Sequence, residues 1–190
     1  MKVLKPYYTQ GFAYFETLLE EAQRYFPQGF FEVKKSEKLP FVISEGIFGI
    51  LRGCFDSKIF DSAKGIPHNP GEIILTAMHQ PLISEVMGGE AFEKYLATAS
   101  LMRFEDNCFF ALVSSYGMKE HFGRTIKTAA QQLGLASVGE YCSDNNCLLY
   151  AAPMIVKPQD ETRLQLSTRW MDKMHGFCEK HSKALESMLA

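Results

Sequence analysis

The stretch from Leu101 to Val156 constrains this chain most, because it reads as hairpin, helix, hairpin. Leu101 to Phe104 and Cys108 to Ser114 are apolar, strand-like runs joined by Glu105, Asp106 and Asn107. Glu140 to Cys142 and Cys147 to Val156 are two more, joined by Ser143, Asp144, Asn145 and Asn146. Asn and Asp bond their own backbone and tolerate the left-handed conformation, so short Asx-rich links between apolar runs signal hairpins. Between the hairpins an amphipathic helix runs from about Met118 to Leu133, with Gly134 as its stop. The fold class this predicts is α+β: an antiparallel sheet of about five or six strands with helices packed on it. Cys108–Ser114 and Cys147–Val156 are nearly continuous apolar runs, which predicts central, buried strands.

The flanking segments extend the pattern. Thr9 to Phe26 has one apolar face at helical spacing and ends at Pro27. Phe30 to Lys34 and Phe41 to Ile43 read as strands. Glu45 to Phe60 reads as a strand ending near Gly53, because Gly46, Gly49 and Gly53 weaken a helix there. Asp61 to Asn69 is the clearest loop. Asn69-Pro70-Gly71-Glu72 then predicts a helix start, with Asn69 as cap, Pro70 in the first position and Glu72 reaching back. Leu82 to Met87 and Ala91 to Ala97 read as short helices, and Thr162 to Leu166 as a last strand. From Thr168 to Leu189 the apolar residues fall within an arc of about 140°, which predicts a long amphipathic C-terminal helix.

A chain of 190 residues is long enough for one domain, 1–190, with a core of its own. Its net charge of −2 carries no basic excess, and Lys119, Arg124 and Lys127 read as a solvated helix face, so no nucleic-acid partner is expected. Met1 to Gln10 has no apolar secretion core, and the longest apolar run, Cys147–Val156, is too short to span a bilayer. The five cysteines are odd in number and loosely spaced, which implies no disulfide framework. The expectation is a cytoplasmic protein with Cys142 and Cys147 as free thiols.

No G-x-S-x-G, P-loop, Rossmann glycine pattern or H-E-x-x-H occurs. His175, Cys178 and His181 form an H-x2-C-x2-H string. On a regular helix its two histidines differ by about 120° in direction and ~9 Å in rise, too far for one small ion. Cys178 and His181, three residues apart, can share an ion only with ligands from elsewhere. Cys142 and Cys147 flank the second hairpin turn, but neither Cys54 nor Cys108 has the spacing of a second ligand pair, so they read as small buried apolar side chains. No metal and no cofactor is therefore predicted, and the sequence leaves open which Cys or His, if either, is catalytic. His68, in the long loop, is the best exposed histidine.

The last helix carries the remaining signal. Trp170 and Phe177 lie along one edge of its apolar arc, with Met174 towards the centre and Met171 on the other edge. Trp marks interface hot spots, and Met recurs on adaptable binding surfaces. These four residues are the candidate partner-binding set. The function they imply is a protein-binding module (an adaptor, a chaperone-like protein or a subunit of a larger assembly), meeting a protein partner or a second copy of itself. The alternative is a small-molecule-binding protein or small enzyme, with a Cys/His-lined pocket between sheet and helices and Asp61–Asn69 as its lid.

Overall fold

The computed structural model describes residues 1–48, 51–88, 91–116, 118, 121–150 and 169–189. Its centre is a mixed sheet, not an antiparallel one. Strands β1 (Lys2–Tyr8), β6 (Ile73–Met78) and β10 (Phe109–Ser114) run parallel to one another in its middle. β2 (Phe31–Val33) and β3 (Glu37–Lys38) both pair with β1, also in parallel. β9 (Ala99–Arg103) closes the far edge as the antiparallel partner of β10. The order is β2-β1-β6-β10-β9. A second sheet has the order β4-β5-β7-β8, from β4 (Glu45–Phe48), β5 (Leu51–Phe55), β7 (Leu82–Gly88) and β8 (Ala91–Ala97). The broad class, helices with sheet, is as expected.

Parallel strands need cover on both faces, and β6 shows why its sequence supplies it. Ile73, Leu75 and Ala77 join the core on one face; Ile74 and Met78 join the core on the other. Helices α1 (Phe15–Gln23) and α3 (Phe122–Val138) cover the first face, through Leu18, Ala22, Ala129 and Leu133. Helix α2 (Asp56–Ala63), with Cys54 and Leu82 of the second sheet, covers the other, through Ile59, Phe60 and Ala63. No helix among the described residues is long and apolar enough to cross a membrane.

The predicted first hairpin is present, as β9 and β10, and Asn107 in its turn holds φ 64° as an Asx residue can. Elsewhere the elements change type. The predicted helix at Asn69 is strand β6. Its cap contacts do form: the Asn69 backbone N–H donates to Glu72 Oε2 at 2.8 Å, and the Asn69 side-chain amide donates to Oε1 at 2.8 Å. They close a turn through Gly71 (φ 79°) that feeds a strand. The two short helices predicted at Leu82 and Ala91 are the β7–β8 antiparallel pair. Phe41–Ile43 is not a strand, and α2 shortens the predicted Asp61–Asn69 loop by running to Ala63.

At the C-terminal end the corrections are larger. α3 continues through Gly134 and ends at Gly139 (φ 81°). Among the described residues no second hairpin follows: Cys142 and Tyr150 make an isolated bridge, as do Cys147 and Gly176. Ala151–Val156 and Thr162–Leu166 lie outside the described residues. The predicted long C-terminal helix is a 3-10 turn, Arg169–Lys173, an extended stretch, and a short helix α4 (Glu179–Ser187). Gly176 interrupts it, because its carbonyl accepts the Leu148 N–H at 2.9 Å rather than a helical one.

Asp56 ties the two sheets together. Its buried carboxylate accepts Ser84 Oγ–H of β7 at 2.7 Å, Ser100 Oγ–H of β9 at 2.9 Å and the Ser57 N–H at 2.7 Å. Hydrogen bonds to a charged group contribute about 1.5–3 kcal/mol, and their loss strands two half-buried hydroxyls. Asp56→Ala is expected to lower the unfolding free energy by about 2–3 kcal/mol. Urea titration of the two proteins measures it, and an unchanged midpoint would show that the bridge is not stabilising.

Candidate metal centre

Beyond the end of α3 the chain brings together four side chains that are remote in sequence. Cys142, Cys147, Cys178 and His181 place their Sγ and ring nitrogen atoms within 4.8 Å of one another. Each is positioned by backbone geometry. Gly139 turns the chain off α3 and sets up Cys142. Asp144 organises the next turn: its Oδ1 accepts the Asn146 N–H at 2.9 Å, and its carbonyl accepts the Cys147 N–H at 3.1 Å. Cys178 is the extended residue before α4, and His181 lies one turn into that helix.

The separations suit a tetrahedral ion. Metal–sulfur bonds of ~2.3 Å set two thiolate sulfurs about 3.8 Å apart, and a sulfur and an imidazole nitrogen about 3.5 Å apart. Cys142 Sγ and Cys178 Sγ are 3.8 Å apart, and Cys147 Sγ is 3.6 Å from His181 Nδ1. Cys178 Sγ to His181 Nδ1 is tighter, at 3.0 Å. Backbone N–H groups point at two of the sulfurs, from Asp144 to Cys142 at 3.4 Å and from Cys178 to Cys147 at 3.3 Å. Burial pushes the Cys147 thiol up to about 12, against the pull of the Cys178 and Leu149 backbone N–H groups. For Cys178 burial also acts upwards, but N–H donation from His181 and contact with the other two thiols outweigh it, so its pKa falls below the ordinary value.

His181 is fully buried. Its Nε2 has no hydrogen-bond partner, but Glu140 Oε1 lies 3.4 Å away, and Lys180 Nζ holds that oxygen at 2.6 Å. A small movement completes the carboxylate–histidine pairing that orients metal-bound imidazoles. Hydrogen bonding from Lys180 holds the Glu140 carboxyl below its usual range, so it stays anionic as such a partner must.

The sequence had offered this set as two unrelated pairs, Cys142 with Cys147 and Cys178 with His181, and neither looked like a metal site alone. His175 is exposed and apart from the cluster. His68 lies elsewhere, with its Nε2 3.3 Å from Asp106 Oδ2. Cys54 and Cys108 are buried in the core, where desolvation pushes their thiols up to about 11 and about 12.

The candidate partner-binding residues share no helix edge. Trp170 is half-buried on the 3-10 turn, edge-on to Tyr150 at 6.2 Å. Phe177 packs edge-on against Phe26 at 5.0 Å, while Met171 and Met174 are fully buried.

No family model and no curated protein sequence matches the chain. Solved structures do. The archaemetzincin of Methanopyrus kandleri superposes with a TM-score of 0.65 over 99% of this chain and 95% of that one, at 16% identity. The fold is that of the archaemetzincins. The Archaeoglobus fulgidus archaemetzincin, solved with malonate, gives 0.60 at 14% identity, covering 96% of this chain and 99% of its own. A zinc-dependent peptidase from Methanocorpusculum labreanum gives 0.57 at 14% identity with the same coverage. The expected adaptor, chaperone or assembly subunit is overturned by these findings together: an archaemetzincin-like fold and a clustered set of metal-ligating side chains.

Proposed function

We propose that this chain is a zinc metalloprotein whose ion is held by Cys142, Cys147, Cys178 and His181. The observation that carries the reading is the convergence of three sulfurs and one imidazole nitrogen, all within 4.8 Å of one another. Three thiolates and an imidazole form a soft set that suits zinc and rejects magnesium or calcium, which take oxygen ligands. Four protein ligands fill a tetrahedral shell, and closed shells of this kind are structural. The ion would clamp α4 and the 141–150 turn onto the end of α3. The catalytic pattern of zinc peptidases is a different matter. H-E-x-x-H is absent from the sequence, so the peptidase activity named for the Methanocorpusculum protein is not part of this reading.

The test is metal analysis of protein purified under reducing conditions without added metal. One zinc per chain is expected, and none in the Cys147→Ser/His181→Ala double variant. Cobalt exchanged into the wild type should show the strong near-ultraviolet bands of thiolate coordination and the visible bands of a tetrahedral ion. Folded wild-type protein that binds zinc with a Kd weaker than about 1 μM would defeat the proposal.

A further inference from the structure

We infer that the cavity outside the carboxyl ends of β6 and β10 binds a small, uncharged aromatic alcohol, through the Ser115–His79 pair and the rings around it. Because β1, β6 and β10 run parallel, their carboxyl ends lie along one edge of the sheet. From β1 the chain passes through α1 on one face to β2 on one side; α2, on the other face, precedes β6 on the other side. The order therefore reverses between β1 and β6. Open sheets of this kind take small molecules outside their carboxyl ends, at such a reversal. The cavity found there, at the end of β6, measures about 650 Å³. Small-molecule sites run from roughly 300 to 1,000 Å³.

Three segments build its wall. Tyr14 stands just before α1, His79 follows β6, and Ser115 and Tyr116 follow β10, with Met118 and Phe122 leading into α3. Backbone hydrogen bonds fix these segments to one another. The Ser115 N–H donates to the Met78 carbonyl at 2.9 Å, and the Met118 N–H to the Ser115 carbonyl at 3.0 Å. Ser114 Oγ–H donates to the Gln80 carbonyl at 2.7 Å and accepts the Tyr116 N–H at 3.1 Å. A wall held this way loses little freedom when a ligand enters. Phe12 stacks on the His79 ring at 4.5 Å, which fixes the ring plane. The Tyr14 and Phe122 rings meet at 5.9 Å, and Tyr14, 63% exposed, forms the rim.

The chemistry of the lining selects the ligand. Tyr14, Tyr116, Met118 and Phe122 offer rings and a thioether to a flat apolar body. Apolar walls penalise an ion that gives up its water, so the ligand is uncharged. The polar element is Ser115, a buried residue whose Oγ lies 2.5 Å from His79 Nδ1 and 3.4 Å from the Met78 carbonyl. An imidazole nitrogen accepts in one tautomer and donates in the other, and a serine hydroxyl rotates to suit. With Nδ1 accepting, Ser115 Oγ remains an acceptor for the ligand. With Nδ1 donating, the Ser115 O–H is available as a donor. A ligand hydroxyl both gives and takes a hydrogen bond, so it matches the pair in either state. The Cys/His cluster lies past the opposite end of α3, whose 17 residues span ~25 Å, so neither reading rests on the other.

The probe is 2-naphthol, titrated into the full chain and followed by its fluorescence. Saturable binding with a Kd of about 100 μM or tighter is expected. Tyr14→Ala, at the rim, should weaken it about fivefold, and Ser115→Ala about tenfold, with circular dichroism showing that both variants fold. Naphthalene-2-sulfonate, of similar shape but permanently charged, should bind at least about tenfold more weakly than 2-naphthol. Amide chemical-shift mapping on the wild type locates the ligand without any variant, and the largest changes are expected at Ser115, Tyr116 and Phe122. No saturation by about 1 mM 2-naphthol would overturn the inference. So would an unchanged Kd in Tyr14→Ala and folded Ser115→Ala, a sulfonate that binds as tightly as the alcohol, or shifts centred away from these three residues.

Discussion

Stripping the ion from the Cys142–His181 centre with a chelator will lower the thermal midpoint by about 8–16 °C. The size follows from linkage. A ligand bound only by the native state stabilises it by about 4 kcal/mol when its free concentration is a thousandfold above Kd. In a chain of this size each kcal/mol shifts the midpoint by roughly 2–4 °C. The proposed ligands come from two segments, 142–147 and 178–181, which join the rest of the fold mainly through Leu148, Leu149, Met174 and Leu185. Without the ion, Cys147 and His181 remain buried polar groups, and the thiol contacts between the two segments are weak. The loss should therefore be local before it is global. Hydrogen exchange should speed up across the 141–150 turn and α4 while β6 and β10 keep their protection. Calorimetry with and without EDTA, in reductant, reads the shift. Equal midpoints in zinc-saturated and zinc-stripped protein would show that the centre does not hold this end of the molecule.

The parts of the fold that the sequence revealed are those set by local chemistry. Asn107 in a short Asx-rich link made the β9–β10 hairpin readable, because its left-handed φ is a property of the residue itself. The apolar face of α1 was readable for the same kind of reason, since Phe15, Leu18, Leu19 and Ala22 recur at helical spacing and are buried. Failure came where a local pattern had two outcomes. The Asn69–Glu72 contacts are those of a helix cap, yet they form in a turn, and the next six residues are buried on both faces of a sheet. Continuous burial of β6 was decided by β1 and β10 on either side, and β1 lies in a segment whose strand character the sequence reading passed over. In the C-terminal region the helical period persists through Gly176, although the backbone there is extended and bridged to Cys147.

The candidate metal centre was half legible. Cys178 and His181 were recognisable as a pair that needs further ligands, and Cys142 and Cys147 as a pair without a second. Thirty residues separate Cys147 from Cys178, and their meeting depends on the turn after Gly139 and the bridge between Cys147 and Gly176. Neither leaves a periodic signal. The odd cysteine count spoke against a disulfide framework and also obscured that three of the five thiols, with one histidine, form a single set.

Replacing Phe110 by alanine will cost about 3–5 kcal/mol of folding free energy, the range for removing a buried aromatic ring. Phe110 is fully buried on β10, paired to Ile74 on one side and Met102 on the other. Its ring meets the Phe60 ring of α2 edge-on at 5.8 Å and the Phe104 ring at 6.5 Å. The main sheet cannot collapse into the gap, because neighbouring strands fix β10 on both sides. Phe110 faces α2 and the second sheet, whereas α3 and the Cys/His cluster lie beyond the opposite face. Stability and metal content should therefore separate. Phe110→Ala should unfold at much lower urea but retain one zinc per folded chain, while Cys147→Ser/His181→Ala should lose the zinc and leave the Phe110 layer intact. Urea titration with zinc analysis of the folded fraction makes the comparison. A loss below about 1 kcal/mol would mean that the two sheets and α2 repack freely around the missing ring.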